Sequence, residues 1–238
     1  ADNGLCWGPV AEYFSSDYDI ILVDAQGHGK SDRLGPDFEY MDHARQVVRL
    51  LTELGVHKPV IMGHSMGAGT AANIAVEYPA IPYAIILEDP AWMNPALAPL
   101  SDKPVRDGFA GMLSGFGHKT VAEIMEAGRQ DYPSWSESDL LPWAESKLQF
   151  DRTLFLHLDM ESSGYRQLVP RIDCPLLLVT SENGIVRPEV AGHARQLWQS
   201  DKPFTWVKID GAGHSIRREQ FRRFTRNVAG FLADLEQF

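Results

Sequence analysis

The sequence is poor in basic residues and has no long apolar run. Among 238 residues, 22 are Lys or Arg and 32 are Asp or Glu, so the formal net charge is −10 at pH 7. This balance argues against nucleic acids and anionic membrane surfaces as partners, because both attract a basic face. Five arginines between positions 217 and 226 are interpreted as the solvated face of the last helix. Without about 18 consecutive apolar residues, the sequence predicts no membrane-spanning helix.

Cysteine is also scarce. Cys6 and Cys174 are the only two cysteines, and they form neither a disulfide framework nor the spacing of a metal site. The simplest interpretation is a pair of reduced thiols in a cytoplasmic protein. The sequence contains no internal repeat and no low-complexity segment. A single α/β domain with a substantial core, with room for an inserted cap, is expected at this length.

Strand-like and helix-like segments alternate along most of the chain. Strands are expected near 18–25, 59–63, 83–89, 175–180 and 204–209, the first of them buried. This alternation predicts an α/β fold with a mostly parallel sheet and helices on both faces. It stops between Pro90 and about Gln167, where helical patterns predominate. The aromatic residues of that stretch are Trp92, Phe109, Phe116, Trp135, Trp143, Phe150 and Phe155.

A Gly-His-Ser-Met-Gly motif occupies Gly63 to Gly67, between the apolar run 59–62 and the Ala/Gly-rich run 68–75. This context predicts a strand, a tight turn with Ser65 at its apex, and a helix. Glycine is expected at positions 63 and 67 because the strained turn brings the backbone and the neighbouring helix too close together for a Cβ atom. Such a strained turn presents the serine hydroxyl at the positive end of the following helix. Ser65 is therefore the candidate nucleophile.

A serine hydroxyl needs a base within hydrogen-bond reach. The expected strand 204–209 runs into a glycine-bounded loop that ends at His214. We therefore predict that His214 is the base. His64 is expected to pack beside the turn and His28 to lie in a chain reversal. The remaining histidines are expected to be ordinary packed or exposed residues: His43, His57, His118, His157 and His193.

With these motifs the chain resembles the α/β-hydrolase family over nearly its whole length. The matching pieces are Ile20–Asp24 with Gly27–Ser31, then Gly63–Gly67, then Gly211–His214. The resemblance implies an α/β-hydrolase core over 1–90 and 169–238, and a helical cap over 91–168. Some of the cap aromatics are then expected to line a substrate site and to exclude water.

A third residue should accept the Nδ1–H of His214 and stabilise the imidazolium that forms. The resemblance implies a carboxylate in the loop after the strand 175–180, where Glu182 is our preferred acid. Asn183 also fits that loop by position, but it carries no charge. Asp89, at the end of the strand 83–89, is the alternative acid, because some members of the family use that position. The alternative to a catalytic role for Asp89 is that it caps a helix or turn before Pro90.

Together these residues predict a serine hydrolase that acts on a carboxylic ester or related acyl substrate through an acyl-enzyme. The backbone N–H of Met66, directly after the nucleophile, is expected to hold the oxyanion. The partner is a small ester-like molecule, and neither a metal nor an organic cofactor is implied. A lactonase, thioesterase, carbon–carbon hydrolase or perhydrolase would use the same residues. A ligand-binding member of the fold without turnover is the non-enzymatic alternative.

The resemblance also implies strands that this sequence does not contain. In such hydrolases further strands precede the helix that begins here near Trp7. One of them ends in a loop that supplies the second oxyanion N–H. We therefore expect the 238 residues to be an N-terminally shortened form of a longer hydrolase, with those strands and that donor missing.

Overall fold

The computed structural model describes residues 1–92, 111, 113–154 and 164–235. These residues belong to two compact units. The first comprises Ala1–Tyr40 and Ala98–Met160, and the second comprises Met41–Leu97 and Glu161–Phe238. The division into a core and a cap at residues 91 and 168, and the expected further strands before Trp7, stay predictions.

The helices are numbered here in chain order. They are α1 (Gly8–Phe14), α2 (Asp42–Glu53), α3 (Met66–Glu77), α4 (Val121–Asp131), α5 (Glu137–Gln149), α6 (Tyr165–Leu168), α7 (Pro188–Leu197), α8 (Ile216–Glu219) and α9 (Phe221–Leu235). Short 3₁₀ turns cover Gly4–Trp7 and Val169–Arg171. No helix in the described part of the chain is long and apolar enough to cross a membrane.

A parallel sheet forms the centre of the second unit. Its strands are β1 (Val60–His64), β2 (Ala84–Glu88), β3 (Leu176–Ser181) and β4 (Phe204–Ile209). They lie in the order β1-β2-β3-β4, and every neighbouring pair is parallel. The α/β fold class is confirmed, and so are four of the five predicted strands.

The core of the second unit lies where α3 packs against this sheet. The side chains of β2 and β3 are all buried, as a strand covered on both faces requires. Helix α3 faces them with four buried alanines, Ala68, Ala71, Ala72 and Ala75. Their small side chains let the helix lie close to the strands.

The first unit contains the two long helices of the predicted insertion. Capping boxes begin both of them: Thr120 with Glu123 starts α4, and Ser136 with Asp139 starts α5. The apolar cluster between them contains Cys6, Ile124, Trp135, Leu140, Trp143 and Ala144, with Phe116 packed against it. These aromatics are therefore core residues of this unit. Trp92 belongs to the core of the second unit, and Phe109 and Phe155 lie outside the described residues.

The prediction of a buried strand at 18–25 is wrong. Residues 19–25 have no regular secondary structure, and Ile20, Ile21, Leu22 and Val23 are all exposed. An apolar, β-branched run has the composition of a buried strand, but a strand also needs a hydrogen-bonded neighbour. Within the residues that the structure describes, no strand pairs with this segment.

Both cysteines are buried and unbridged, and this predicts their reactivity. Burial raises the pKa of the Cys174 thiol to about 12, and only the thiolate is nucleophilic. We expect N-ethylmaleimide at pH 8 to leave both thiols unmodified in the folded protein and to modify both in urea, as measured by intact mass. Rapid modification of Cys174 in the folded protein would contradict this burial.

Candidate active site

The residues selected from the sequence meet at one edge of the sheet. The strands are parallel, so their carboxyl ends lie on the same side, where α/β proteins bind ligands. Ser65 follows β1 and Asp89 follows β2. Ser181 ends β3, and the loop 210–214 follows β4. The register pairs His64 with Glu88 and Ser181 with Ile209, so these strand ends are level with their neighbours.

Ser65 has the conformation expected of a nucleophile at a strained turn. Its φ is 54°, a left-handed value that is rare for residues other than glycine. Its N–H donates to the carbonyl oxygen of Glu88 at 3.0 Å, and α3 begins at Met66. The strand, tight turn and helix predicted around Ser65 are therefore present. Strain of this kind concentrates at functional sites, where the surrounding structure maintains it.

The two glycines of the motif differ in what they allow. A Cβ on Gly63 would overlap the carbonyl group of Gly67 and lie 2.6 Å from the nitrogen of Ala68, so glycine is required there as predicted. A Cβ on Gly67 would have no atom of the described residues within 4 Å other than those of its chain neighbours and of the nearby backbone of its own helix. The steric reason offered for Gly67 is therefore wrong, because the strand does not approach the position that its Cβ would take.

His214 contacts the carboxylate of Asp89. Its Nδ1 lies 2.6 Å from Oδ2 of Asp89. A carboxylate accepts hydrogen bonds, so this contact places the ring hydrogen on Nδ1 and leaves Nε2 to act as a base. Asp89 is fully buried, whereas 38% of the His214 side chain is exposed. The imidazole is thus bound on its buried side by Asp89, and its other side is accessible to solvent.

The loop after β3 builds the environment of Asp89. The backbone N–H groups of Ile185 and Val186 donate to the two carboxylate oxygens at 2.8 and 3.0 Å. A Cβ on Gly184 would lie only 2.7 Å from both oxygens, so a glycine is needed beside the carboxylate. Asp89 itself has a φ of 38°. Its N–H donates to the carbonyl of Val179.

Glu182, the acid preferred from the sequence, is not the carboxylate that contacts His214. Its side chain is exposed, and Oε2 accepts the N–H of Gly211 at 3.4 Å. Asn183 is also exposed, and its backbone N–H donates to the carbonyl of Ala212 at 3.2 Å. The geometry corrects the preference. The loop after β3 contributes backbone donors to the carboxylate of Asp89, which follows β2. Asp89, the alternative acid, is the residue that contacts the His214 ring.

The loop that carries His214 is fixed by several side chains. The Ser181 hydroxyl donates to the carbonyl of Gly213 at 2.6 Å. Glu219 accepts the N–H of Gly213 at 2.6 Å, and Gln220 donates to the carbonyl of Gly211 at 3.0 Å. These hydrogen bonds connect the loop to the end of β3 on one side and to the end of α8 on the other.

His64 also holds His214 in place. Its Nε2 lies 2.8 Å from the carbonyl oxygen of His214, which can only accept, so His64 carries its hydrogen on Nε2. The two imidazole rings pack with centroids 4.3 Å apart. The predicted packing of His64 beside the turn is confirmed. The structure adds that this packing brings the His214 loop against the turn that carries Ser65.

The arginines after His214 are not simply a solvated face. Arg217 and Arg218 are buried, and Arg217 Nη1 donates to Glu88 Oε2 at 2.8 Å. Arg223 donates to the carbonyl of Asp210 at 2.6 Å. The interpretation from the sequence is therefore wrong for Arg217 and Arg218, whereas Arg222, Arg223 and Arg226 are exposed as it predicts. An unbroken helical pattern was assumed there, whereas α8 ends at Glu219 and α9 begins at Phe221.

Sequence reasoning overlooked Glu88. It lies in a strand whose residues are all buried, and it is itself completely buried. The available signal was a charged residue directly before Asp89 at the end of the apolar run 84–87. A buried carboxylate requires a partner, and the sequence alone did not indicate that Arg217 provides it.

A family model described as the alpha/beta hydrolase fold matches residues 1–217. The chain belongs to the α/β-hydrolase family. Two relatives that align over most of this chain are named as hydrolases. One is N-formylmaleamate deformylase of Pseudomonas putida, 26% identical over 234 residues, which are 96% of this chain and 84% of that protein. Another is an sn-1-specific diacylglycerol lipase of Mus musculus, 25% identical over 90% of this chain and 71% of that protein. This α/β hydrolase is thus a hydrolytic enzyme.

Solved structures show the same fold. E-2-(acetamidomethylene)succinate hydrolase aligns with a TM-score of 0.81 over 98% of this chain and 88% of that chain, at 18% identity. N-formylmaleamic acid deformylase from Pseudomonas putida S16 aligns with a TM-score of 0.76 over 95% and 87%, at 23% identity. At these identities the likeness concerns the fold of the hydrolase and not its substrate.

Proposed function

We propose that this protein is a serine hydrolase in which Ser65 is the nucleophile, His214 the base and Asp89 the acid. The observation that carries the proposal is the 2.6 Å contact between His214 Nδ1 and Asp89 Oδ2. It lies beside a strained turn with Ser65 at its apex. This is the arrangement of a nucleophile, a base and a residue that orients the base.

The reaction follows from these roles. His214 Nε2 removes the hydroxyl proton of Ser65, and Ser65 Oγ attacks the carbonyl carbon of the substrate. His214 then gives that proton to the leaving group as the bond to it breaks. Asp89 stabilises the imidazolium between these two transfers. In the second half, His214 takes a proton from water, the hydroxide attacks the acyl carbon, and Ser65 leaves with the proton restored.

Met66 is proposed to stabilise the tetrahedral intermediate through its backbone N–H. It is the first residue of α3 and directly follows the nucleophile. The N–H groups at the start of a helix point along its axis, where the helix dipole favours negative charge. One such donor is typically responsible for about 10²–10³ in rate.

The proposed substrate class is a small carboxylic ester or a related acyl compound. A second candidate is an N-acyl amide, favoured by the similarity to N-formylmaleamate deformylase over 96% of this chain. A panel that compares p-nitrophenyl esters of rising acyl length with lactones, thioesters and N-formyl amides separates these classes. Turnover of N-formyl amides without turnover of esters would favour the second candidate.

A fluorophosphonate probe tests the proposal directly. We expect one phosphonyl group to be added at Ser65, because a base-activated serine attacks the probe and an ordinary serine does not. Ser65→Ala is expected to abolish the modification, as measured by intact mass and peptide mapping. Ser200→Ala is the matched control and should leave the labelling unchanged, since the Ser200 hydroxyl donates to Asp173 and not to the loop that carries His214. The absence of labelling in folded wild-type protein would refute the serine mechanism.

A further inference from the structure

Glu88 is joined to all three segments that carry the proposed triad. Its backbone carbonyl accepts the N–H of Ser65 at 3.0 Å. Its carboxylate accepts the backbone N–H and the Nη1 of Arg217, each at 2.8 Å. Arg217 follows His214 by three residues, and Asp89 directly follows Glu88. One side chain therefore links the end of β2 to the first turn after the catalytic histidine.

Stability alone is a weak explanation for this ion pair. The side chains of Glu88 and Arg217 are 0% and 2% exposed. Removing two charges from water is costly, and an apolar pair of similar volume often stabilises a protein equally well or better. The ion pair does supply what apolar contacts lack, namely two directional hydrogen bonds at fixed lengths. Those bonds set the position of α8 relative to the strand end that carries Asp89.

We propose that Glu88 and Arg217 are positioning residues for His214. This inference rests on the proposed serine mechanism, in which the imidazole moves a proton between Ser65 and the substrate. The ion pair keeps the segment after His214 in place, so that Nδ1 stays against Asp89 and Nε2 is presented to the serine. Displacement of a catalytic group by about 1 Å can lower a rate by 10²-fold.

The remaining contacts of the loop predict a shift of His214 rather than an unfolding when the ion pair is removed. His64 bonds to the carbonyl of His214, and Ser181 and Glu219 hold Gly213. These bonds do not involve Glu88 or Arg217. We therefore expect a variant without the ion pair to keep the conformation of the loop. The His214 ring is expected to shift from its position against Asp89.

The test replaces both charged residues by apolar ones of similar size, in the variant Glu88→Leu/Arg217→Met. The measurements are the rate constant of fluorophosphonate labelling, the kcat and KM for an ester, the Tm, and the proton NMR resonance of His214 Nδ1–H. We expect the labelling rate and kcat to fall about 10²-fold, with KM unchanged and the Nδ1–H resonance shifted or broadened. A purely structural role predicts a changed Tm with the wild-type labelling rate per folded molecule.

Two further variants complete the design. Arg217→Lys retains the buried charge and the backbone N–H but loses the planar guanidinium. It is expected to fold with a smaller rate loss, and it decides the question if the double variant does not fold. Glu77→Leu/Arg171→Met removes an exposed ion pair of 3.0 Å and should leave the labelling rate unchanged.

The outcomes separate this inference from the proposed function. A wild-type labelling rate and an unmoved Nδ1–H resonance in the folded double variant would overturn the positioning role alone. If wild-type Ser65 is not labelled, the serine mechanism fails. The Nδ1–H resonance then still decides whether the ion pair positions His214.

Discussion

Replacing Asp89 by Asn is expected to lower kcat/KM by about 10⁴-fold, as the same change does in a serine protease triad. The amide of Asn presents an NH₂ group, which favours the wrong tautomer of His214 and cannot stabilise the imidazolium. Asp89 also accepts the N–H groups of Ile185 and Val186. The rate is therefore measured alongside circular dichroism and Tm, so that loss of fold is separated from loss of catalysis.

Glu182→Gln is the matched control, since it makes the same chemical change on the neighbouring loop. The amide oxygen of Gln can still accept the N–H of Gly211 that Glu182 accepts at 3.4 Å. Its expected effect on kcat/KM is within a few-fold. A larger loss in Glu182→Gln than in Asp89→Asn would return the acid to Glu182. If neither change matters, Asn183 is the next residue to replace.

Gly63→Ala is expected to lower the free energy of unfolding by about 3 kcal/mol or more, at the upper end for inserted methyl groups. The added Cβ would overlap the carbonyl of Gly67 and press on the nitrogen of Ala68, and both belong to backbone that cannot rotate away. Urea unfolding measures the change. The same displacement would move Ser65, so fluorophosphonate labelling should slow in the fraction that folds.

Gly67→Ala is the control and should have the opposite sign. A Cβ there meets no described atom within 4 Å outside its chain neighbours and the nearby backbone of its own helix, and alanine is favoured over glycine in a helix by up to about 1 kcal/mol. Its free energy of unfolding is therefore expected to equal or exceed that of the wild type. Equal destabilisation by the two substitutions would show that the close approach at Gly63 is not what constrains the turn.

Features encoded by neighbouring residues were predictable from the sequence. The turn at Ser65 needs a glycine two residues before it, an apolar strand and a helix start, and these all lie within a dozen positions. His214 was predictable because a glycine-bounded loop after the last strand places a side chain at the sheet edge. Both predictions depend on local backbone geometry, and this geometry is determined by residue types and their spacing within a short stretch of sequence.

Contacts through space required the tertiary structure. The segment 18–25 has the composition of a buried strand, but no strand of the described residues pairs with it. Glu88 and Arg217 are separated by 129 positions and meet only because β2 and α8 come together. A pattern within one segment carries no information about which distant segment will face it.

The choice of acid shows this division most clearly. Asp89 and Glu182 both follow parallel strands and end at the same sheet edge, so their local sequences are equally suitable. The decision depended on which carboxylate comes within hydrogen-bond distance of Nδ1 of His214. In the folded chain Gly184 and two backbone N–H groups of the second loop surround Asp89. That enclosure exists only when the two loops pack against each other, whereas Ser65 and His214, the proposed nucleophile and base, were already indicated by the order of residues.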